Sequence, residues 1–210
     1  MVLIYNIFSK AFFTLFLLPS GYIIGSVMSA IFVARMFSLP DPRSHGSKNP
    51  GATNMARTKN TTAAGLTFLG DALKSYLPVK LSLVIGYSTH AALLLGFSVM
   101  LGHMFPIFFQ FRGGKGMATA FGVTLAISLP LTLLNSMVWA GVFYISGIAG
   151  LASVVSVCVL PILYLASPLH YSLAPFILVF SVMIVWMHGH NLLNIFRSLL
   201  DKKPVRKHYN

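Results

Sequence analysis

A long uncharged stretch constrains the fold of this chain more than any other feature of its sequence. Residues 117–187 contain no Lys, Arg, Asp or Glu, whereas a soluble domain carries about 25% charged residues. Apolar helices of about 20 residues cross a bilayer. Polar or helix-breaking residues interrupt the stretch near positions 130, 135, 147–150 and 167–168. The stretch therefore has room for two long membrane spans or four tight ones.

The composition of the whole chain indicates the same class of protein. Of its 210 residues, 56% are hydrophobic and 9% are charged, and the mean hydropathy is +0.80. Further apolar runs occupy residues 11–37, 63–85 and 90–111. The first run is too long for a signal-peptide core and lacks a clean cleavage site, and its Gly21 and Gly25 predict a close helix crossing. We expect an all-α integral membrane protein.

Acidic residues are scarce, and this limits the chemistry open to the chain. It has no glutamate, and its carboxylates belong to Asp41, Asp71 and Asp201. A mechanism built on paired carboxylates or on a relay of buried acids has almost no groups to work with. Asp71 and Lys74 share a helix face, which indicates a local ion pair, with a role in fixing the polar loops as the alternative. The single cysteine, Cys158, predicts no disulfide and no cysteine-based metal site.

The excess of positive charge predicts the topology. The formal net charge is +12, from fifteen Lys and Arg against three acids. These cations lie in short loops between spans, which is typical of cytoplasmic loops and argues against a nucleic acid partner. Basic regions near residues 43–59, 112–115 and 197–207 then share the cytoplasmic face. With one span before the first region, parity predicts five or seven helices, an outside N-terminus and a cytoplasmic C-terminus.

Two of the basic regions have the character of anion-binding turns. Residues 43–57 read R-S-H-G-S-K-N-P-G-A-T-N-M-A-R, and their Asn49, Pro50 and Gly51 predict a tight turn with a positive φ at glycine. Such amides, hydroxyls and cations suit a phosphate, with an ordinary basic loop as the alternative. Residues 111–116, F-R-G-G-K-G, form a glycine-rich turn that leads into an apolar helix, and such turns bind anions. Their spacing is not that of a Walker A loop.

A third polar cluster, H-G-H-N at residues 188–191, belongs to the same predicted face. His188 and His190 could be read as a metal pair, but a third ligand at sensible spacing is missing, so we expect no metal. A site for one or two phosphates at the membrane edge explains the three clusters better than a channel or a scaffold does. A transporter or permease for an organic phosphate is the alternative.

The three clusters resemble the motifs of a known enzyme family. The stretches G-S-K-N-P-G-A-T-N-x-x-R, G-H-x-F-P-x-F-F-x-F-R-G-G-K-G-x-A-T-A-F-G and H-G-H-N-L are similar, in order and spacing, to those of the acyl-phosphate-dependent (PlsY-type) glycerol-3-phosphate acyltransferases of bacterial inner membranes. The resemblance implies seven helices in a single membrane-embedded domain, residues 1–210. It also implies transfer of a fatty acyl group from acyl phosphate to the sn-1 hydroxyl of glycerol 3-phosphate, giving lysophosphatidic acid and phosphate, without a cofactor.

The same resemblance implies a set of site residues. Those that match the family's catalytic positions are Ser47, Arg57, Lys115, His188 and Asn191. Those that stand where the family cradles phosphate are Asn49, Gly51, Thr53, Asn54, Gly113, Gly114 and Gly116. The positions that depart from the family pattern are Lys48, Ser75, Met187 and Asn194.

The expected mechanism positions two anions and stabilises charge at the attacked carbonyl. We expect Lys115, the Gly113–Gly116 amides and the first loop to hold acyl phosphate. We expect Arg57, Ser47, Asn191 and His188 to orient glycerol 3-phosphate, although the two assignments could be exchanged. The general base is His188 or a substrate phosphate oxygen, and the resemblance favours the phosphate. An acyl-Ser47 intermediate is disfavoured, because the sequence shows no His–carboxylate pair that would activate the serine. The expected partners are the lipid bilayer and the soluble enzyme that makes acyl phosphate.

Overall fold

The computed structural model describes residues 12–189 and 192–193, and this part of the chain is helical without a strand. A π-helical turn, Phe13–Leu17, leads into α1 (Leu18–Gly25), and α2 (Ser29–Met36) follows after a short break. The later helices are α3 (Ala52–Ala56), α4 (Thr61–Val84), α5 (Thr89–Met104), α6 (Met117–Ile127), α7 (Leu129–Ser146), α8 (Ala149–Leu165) and α9 (Ala174–Met187). Short 3-10 turns occur at Ile107–Phe109 and Tyr171–Leu173. The uncharged stretch therefore folds as four helices.

Several helices suit a membrane. Those long and apolar enough to cross one are Leu15–Met36, Thr89–Phe109 and Leu129–Ser146. Shorter apolar helices are Met117–Ile127, Ala149–Leu165 and Tyr171–Met187. Large apolar side chains such as Leu133 and Ile145 are exposed on these surfaces, as expected where lipid rather than water surrounds a helix.

The described residues fall into two compact units. The first unit combines residues of the range Met1–Met55 with Thr61–Ile127. In it, α4 packs against α2, α5 and α6, and α1 packs against α5. The second unit combines Ala56–Asn60 with residues that follow Ser128, and in it α8 packs against both α7 and α9.

Glycines bring α1 and α5 into close contact in the first unit. A Cβ at Gly25 would collide with the backbone of Val99, and a Cβ at Gly102 would collide with the carbonyl oxygen of Tyr22. A Cβ at Gly21 would lie 2.7 Å from a Leu95 methyl carbon. Small residues permit such helix approaches in membranes, so the crossing predicted from Gly21 and Gly25 is confirmed.

In the second unit, a glycine cap and a hydrogen bond from a tryptophan indole lie between α7 and α8. Gly147 takes a φ of 67° and ends α7 as a left-handed cap. The indole N–H of Trp139 on α7 donates to Ser153 Oγ on α8 at 3.1 Å. The ring of Phe143 stacks on that of Trp139 with centroids 5.1 Å apart. The bond from Trp139 to Ser153 joins α7 to α8 across a two-residue connection, and the stacked Phe143 supports the Trp139 ring.

Candidate functional site

Asn54 organises the first basic loop. This residue lies in α3 and is 1% exposed. Its amide nitrogen donates to the carbonyl oxygens of Pro42 at 2.7 Å and His45 at 3.2 Å. Its amide oxygen accepts from the backbone N–H of Ser47 at 2.9 Å. The Asn54 side chain is thus engaged within the loop, and it places the backbone of Ser47.

The tight turn is present, but its backbone differs from our expectation. The Gly51 N–H donates to Asn49 O at 2.9 Å. Within residues 43–57, the residues with positive φ are Gly46 and Lys48, both at 57°, and Gly51 is not among them. The reason is that Gly51 precedes α3, and its carbonyl oxygen accepts from the N–H groups of Asn54 and Met55. A residue in that capping position has ordinary, negative φ, so the positive φ predicted at Gly51 was wrong.

Arg43 ties this loop to the turn that follows α5. Its guanidinium pairs with the Asp41 carboxylate at 2.7 Å and lies 5.7 Å from the ring centroid of Phe109. The hydrogen bonds from Arg43 hold the pKa of Asp41 below its ordinary value, and they raise the pKa of Arg43. Because the folded pKa of Asp41 is depressed, the pair contributes at neutral pH, and its contribution is lost as the pH falls through that folded pKa.

The glycine-rich turn before α6 sits directly on His103. The Gly114 N–H donates to His103 O at 3.0 Å. A Cβ on Gly114 would collide with the His103 ring, and one on Gly113 would collide with the His103 carbonyl oxygen. Gly116 has a φ of 86°. Glycine is therefore required here for close packing and for a left-handed backbone, and Lys115 stands half-buried between these residues.

This packing refines the roles expected of the glycines. The Gly114 amide is engaged by His103, so Gly114 contributes a close fit rather than an anion donor. The carbonyl oxygen of Gly116 accepts from the Ala120 N–H and the Thr119 hydroxyl, both at 2.8 Å, which starts α6. The first N–H groups of an α-helix lack intrahelical acceptors and give its N-terminus a partial positive charge.

The other predicted catalytic residues belong to the second unit or lie outside the described residues. Arg57 is half-buried in the turn after α3. His188 follows α9 and is 4% exposed, and its Nδ1 lies 2.8 Å from Ile184 O. Because a carbonyl oxygen only accepts, His188 Nδ1 carries a proton and donates to it. Asn191 lies outside the described residues, as does the departure at Asn194.

Sequence reasoning gave no role to a buried histidine of the first unit. Lys74 Nζ lies 2.9 Å from Asp71 Oδ1, which confirms the predicted ion pair. The same Nζ lies 2.9 Å from His103 Nδ1. A histidine inside an apolar helix whose other ionisable residue, His90, lies at its start was the signal that could have identified it. Among the described residues, no three His, Cys, Asp or Glu side chains gather as metal ligands do.

Comparison with known proteins assigns the chain to a family. Residues 15–198 match the family model described as glycerol-3-phosphate acyltransferase. The chain belongs to the glycerol-3-phosphate acyltransferase family. The match covers both glycine-containing motifs and the third polar cluster, so the resemblance seen in the sequence is confirmed.

Relatives in this family are similar along most of their length. The glycerol-3-phosphate acyltransferase of Methylococcus capsulatus is 42% identical over 179 residues, which are 84% of this chain and 89% of the relative. That of Pseudomonas putida is 43% identical over 177 residues, which are 84% of this chain and 92% of the relative. The likeness therefore extends well beyond the motifs.

The fold is also similar to that of a solved family member. The crystal structure of PlsY (YgiH), an integral membrane glycerol 3-phosphate acyltransferase in its glycerol 3-phosphate form, matches with a TM-score of 0.82 at 30% identity. The match covers 88% of this chain and 92% of that chain. The lysophosphatidic acid form of the same protein matches with a TM-score of 0.81. This glycerol-3-phosphate acyltransferase family member is thus an all-helical, multi-pass membrane protein.

Proposed function

We propose that this chain transfers a fatty acyl group from acyl phosphate to the sn-1 hydroxyl of glycerol 3-phosphate. The hydroxyl oxygen attacks the acyl carbonyl carbon, the bond from that carbon to the phosphate oxygen breaks, and inorganic phosphate leaves with lysophosphatidic acid as the other product. The observation that carries this proposal is the glycine-rich turn, which presents Lys115 at the N-terminus of α6. A cation beside a helix N-terminus suits a phosphate leaving group.

The glycine-rich turn is proposed to hold the phosphate of the acyl donor. Lys115 supplies charge, and the backbone around Gly113 and Gly116 together with the first turn of α6 supplies dipoles directed at an anion. Gly114 supports this arrangement by its close fit on His103. Acyl phosphate already carries a good leaving group, so the protein has to position it and stabilise the charge that develops at the carbonyl.

The first loop and the third motif are proposed to orient glycerol 3-phosphate. Arg57 offers a planar fork for the phosphate, and the roles of Ser47, His188 and Asn191 are to orient the glycerol part. The remaining first-loop positions proposed for phosphate contact are Asn49, Gly51 and Thr53, whereas Asn54 acts by placing Ser47. The reverse assignment of the two substrates to the two sets is the alternative.

A phosphate oxygen of the substrate is proposed as the general base. The chain has no glutamate, and among its three aspartates Asp41 is paired with Arg43 and Asp71 with Lys74. His188 donates from Nδ1 to Ile184 O, and its proposed role is to orient the substrate rather than to take the proton. An acyl-Ser47 intermediate is not required by this scheme.

The membrane arrangement is proposed to have seven spans in one functional domain of the bacterial inner membrane. The first span combines α1 and α2, and the others are α4 to α9, with the N-terminus outside and the motif-bearing loops in the cytoplasm. A soluble enzyme would supply acyl phosphate on that side. Single cysteines are introduced at residues 45 and 87 in a Cys158→Ala background. Labelling of the two from opposite membrane faces supports this topology, and labelling of both from one face contradicts it.

The role of Lys115 provides the test of this proposal. We expect Lys115→Ala to lower turnover by roughly a hundredfold or more, because one preorganised donor for the developing charge is lost. Turnover is measured as phosphate released from acyl phosphate by purified protein in the presence of glycerol 3-phosphate. Lys80→Ala, which removes an exposed cation from α4, is the matched control. Near-normal turnover of Lys115→Ala would remove this lysine from the site.

A further inference from the structure

Three ionisable side chains lie buried together in the first unit and have no part in the reaction proposed above. The side chains of Asp71 and Lys74 on α4 are 2% and 9% exposed. That of His103 on α5 is 3% exposed. Ionisable groups inside membrane helices are costly to bury, and they mark functional sites more often than exposed charges do. We call these three residues the buried cluster.

Lys74 is the centre of the buried cluster. Its ammonium group lies 2.9 Å from Asp71 Oδ1, 2.9 Å from His103 Nδ1 and 2.6 Å from the carbonyl oxygen of Val27. An ammonium group has three donors and no acceptor, so His103 Nδ1 accepts, and the neutral ring carries its proton on Nε2. Val27 lies in the break between α1 and α2. Lys74 thereby connects α4 to α5 and to the break between α1 and α2, and it sets the orientation of the His103 ring.

His103 connects the buried cluster to the glycine-rich turn. Its carbonyl oxygen accepts from the Gly114 N–H at 3.0 Å. The atoms that a Cβ on Gly114 would meet are Nε2, Cε1 and Cδ2 of the His103 ring. The ring is therefore enclosed between Lys74 on one side and the backbone of Gly114 on the other. Lys115 is the next residue along the chain.

We infer that the buried cluster positions the glycine-rich turn, so that Asp71, Lys74 and His103 act on the reaction through the placement of Lys115. These are positioning residues, since none of them has to touch a substrate. Asp71 balances the charge of Lys74, Lys74 orients His103, and His103 supports the turn. The identity of the anion at the turn rests on the proposed function, whereas the mechanical support of the turn does not.

A purely structural ion pair makes a different prediction. A buried pair can often be replaced by neutral residues of similar size without loss of stability, while removal of one partner leaves an uncompensated charge. If Asp71 and Lys74 only neutralise each other, the double variant Asp71→Asn/Lys74→Met should behave as the wild type. If they position the turn, that variant should fold and still have a loosened turn, because His103 Nδ1 has lost its donor.

The test measures hydrogen exchange of the purified full-length protein without substrates. In the double variant we expect exchange in residues 111–117 to be faster by on the order of tenfold, while exchange in α4, α5 and α6 stays as in the wild type. We also expect KM for acyl phosphate to rise by on the order of tenfold, with a smaller change for glycerol 3-phosphate. Lys80→Met, an exposed site on the same helix, is the control and should change neither quantity.

A second pair of variants covers the case in which the double variant does not fold. His103→Asn keeps an acceptor near the position of Nδ1, and His103→Leu removes it at similar volume. We expect slower exchange of the turn in the asparagine variant than in the leucine variant. Equal exchange in these two, or wild-type exchange and KM values in a folded double variant, would overturn the inference. Absence of acyl transfer in the wild type would refute the proposed function alone, because the exchange measurement needs no substrate.

Discussion

Lys48 shows how the backbone, rather than the side chain, can decide what a position tolerates. It stands where the resembled family has glycine, and its φ of 57° lies in the left-handed region. A residue with a Cβ costs roughly 1–2 kcal/mol in that conformation, whereas glycine adopts it without steric strain. Its side chain is exposed. The position thus requires a left-handed backbone conformation, which is strained for lysine.

We therefore predict that Lys48→Gly keeps full acyl-transfer activity. The free energy of unfolding should stay the same or rise by up to about 1 kcal/mol, because relief of strain exceeds the extra entropy that glycine loses on folding. Activity assays and denaturant unfolding measure the two effects. Lys48→Ala, which removes the charge but keeps the Cβ, is the control. Loss of activity in both variants would instead show that the ammonium group is needed.

Asn54 is the residue on which the shape of the first loop depends. We predict that Asn54→Asp lowers activity and the free energy of unfolding, the latter by about 1–3 kcal/mol, because a carboxylate oxygen would face two carbonyl oxygens that now accept from the amide. Ser44→Ala is the control, since it removes an exposed hydroxyl that donates to Asp41 O in the same loop. Wild-type activity and stability of Asn54→Asp would contradict this role.

The turn before α6 is the element whose position the reaction needs most. We predict that Gly114→Ala lowers kcat/KM by on the order of a hundredfold, because a methyl group there displaces the turn from the His103 ring. The matched control is Gly141→Ala on α7, where a Cβ meets nothing within 4 Å. Steady-state kinetics of both variants provide the comparison. A Gly114→Ala enzyme with normal kcat/KM would contradict the close fit of the turn.

Most helices were predictable because their apolar runs are long and bounded by turn residues. Residues 63–85 were expected as a span and α4 is Thr61–Val84, while residues 90–111 were expected and α5 is Thr89–Met104. The expected run 11–37 is interrupted between α1 and α2, where Val27 O accepts from Lys74. The contact at this break involves a residue distant in sequence, so no local pattern could indicate that contact. The five-residue α3 is too short for helical periodicity to reveal it.

The candidate site was predictable as a set of motifs but not as a set of contacts. The basic loop and the glycine-rich turn are visible in the sequence because anion sites need small residues and cations. The sequence does not show that the Asn54 amide faces inward, nor that the Gly114 amide donates to His103. Both contacts join residues about a dozen positions apart, so they depend on the path of the chain between them. The positive φ was predicted at Gly51 because the sequence did not reveal that α3 begins directly after it.

At the scale of the whole molecule, the shortage of acids fits the chemistry proposed. The chain has three carboxylates against fifteen Lys and Arg. An acyl donor whose leaving group is phosphate has to be oriented and to have its charge stabilised by cations. It does not need an acidic side chain to protonate the leaving group. A bilayer-embedded protein can also take a fatty acyl chain directly from the lipid phase. The composition that predicts a membrane protein therefore agrees with the substrates proposed for it.

The central claim is direct transfer between two bound anions, and product stoichiometry tests it most directly. Purified wild-type protein is incubated with a long-chain acyl phosphate and glycerol 3-phosphate, and both products are followed by phosphorus NMR. The account predicts equal amounts of phosphate and lysophosphatidic acid, no phosphate release without glycerol 3-phosphate, and no lysophosphatidic acid when acyl coenzyme A replaces acyl phosphate. Phosphate released without glycerol 3-phosphate, or lysophosphatidic acid formed without an equal amount of phosphate, would contradict it.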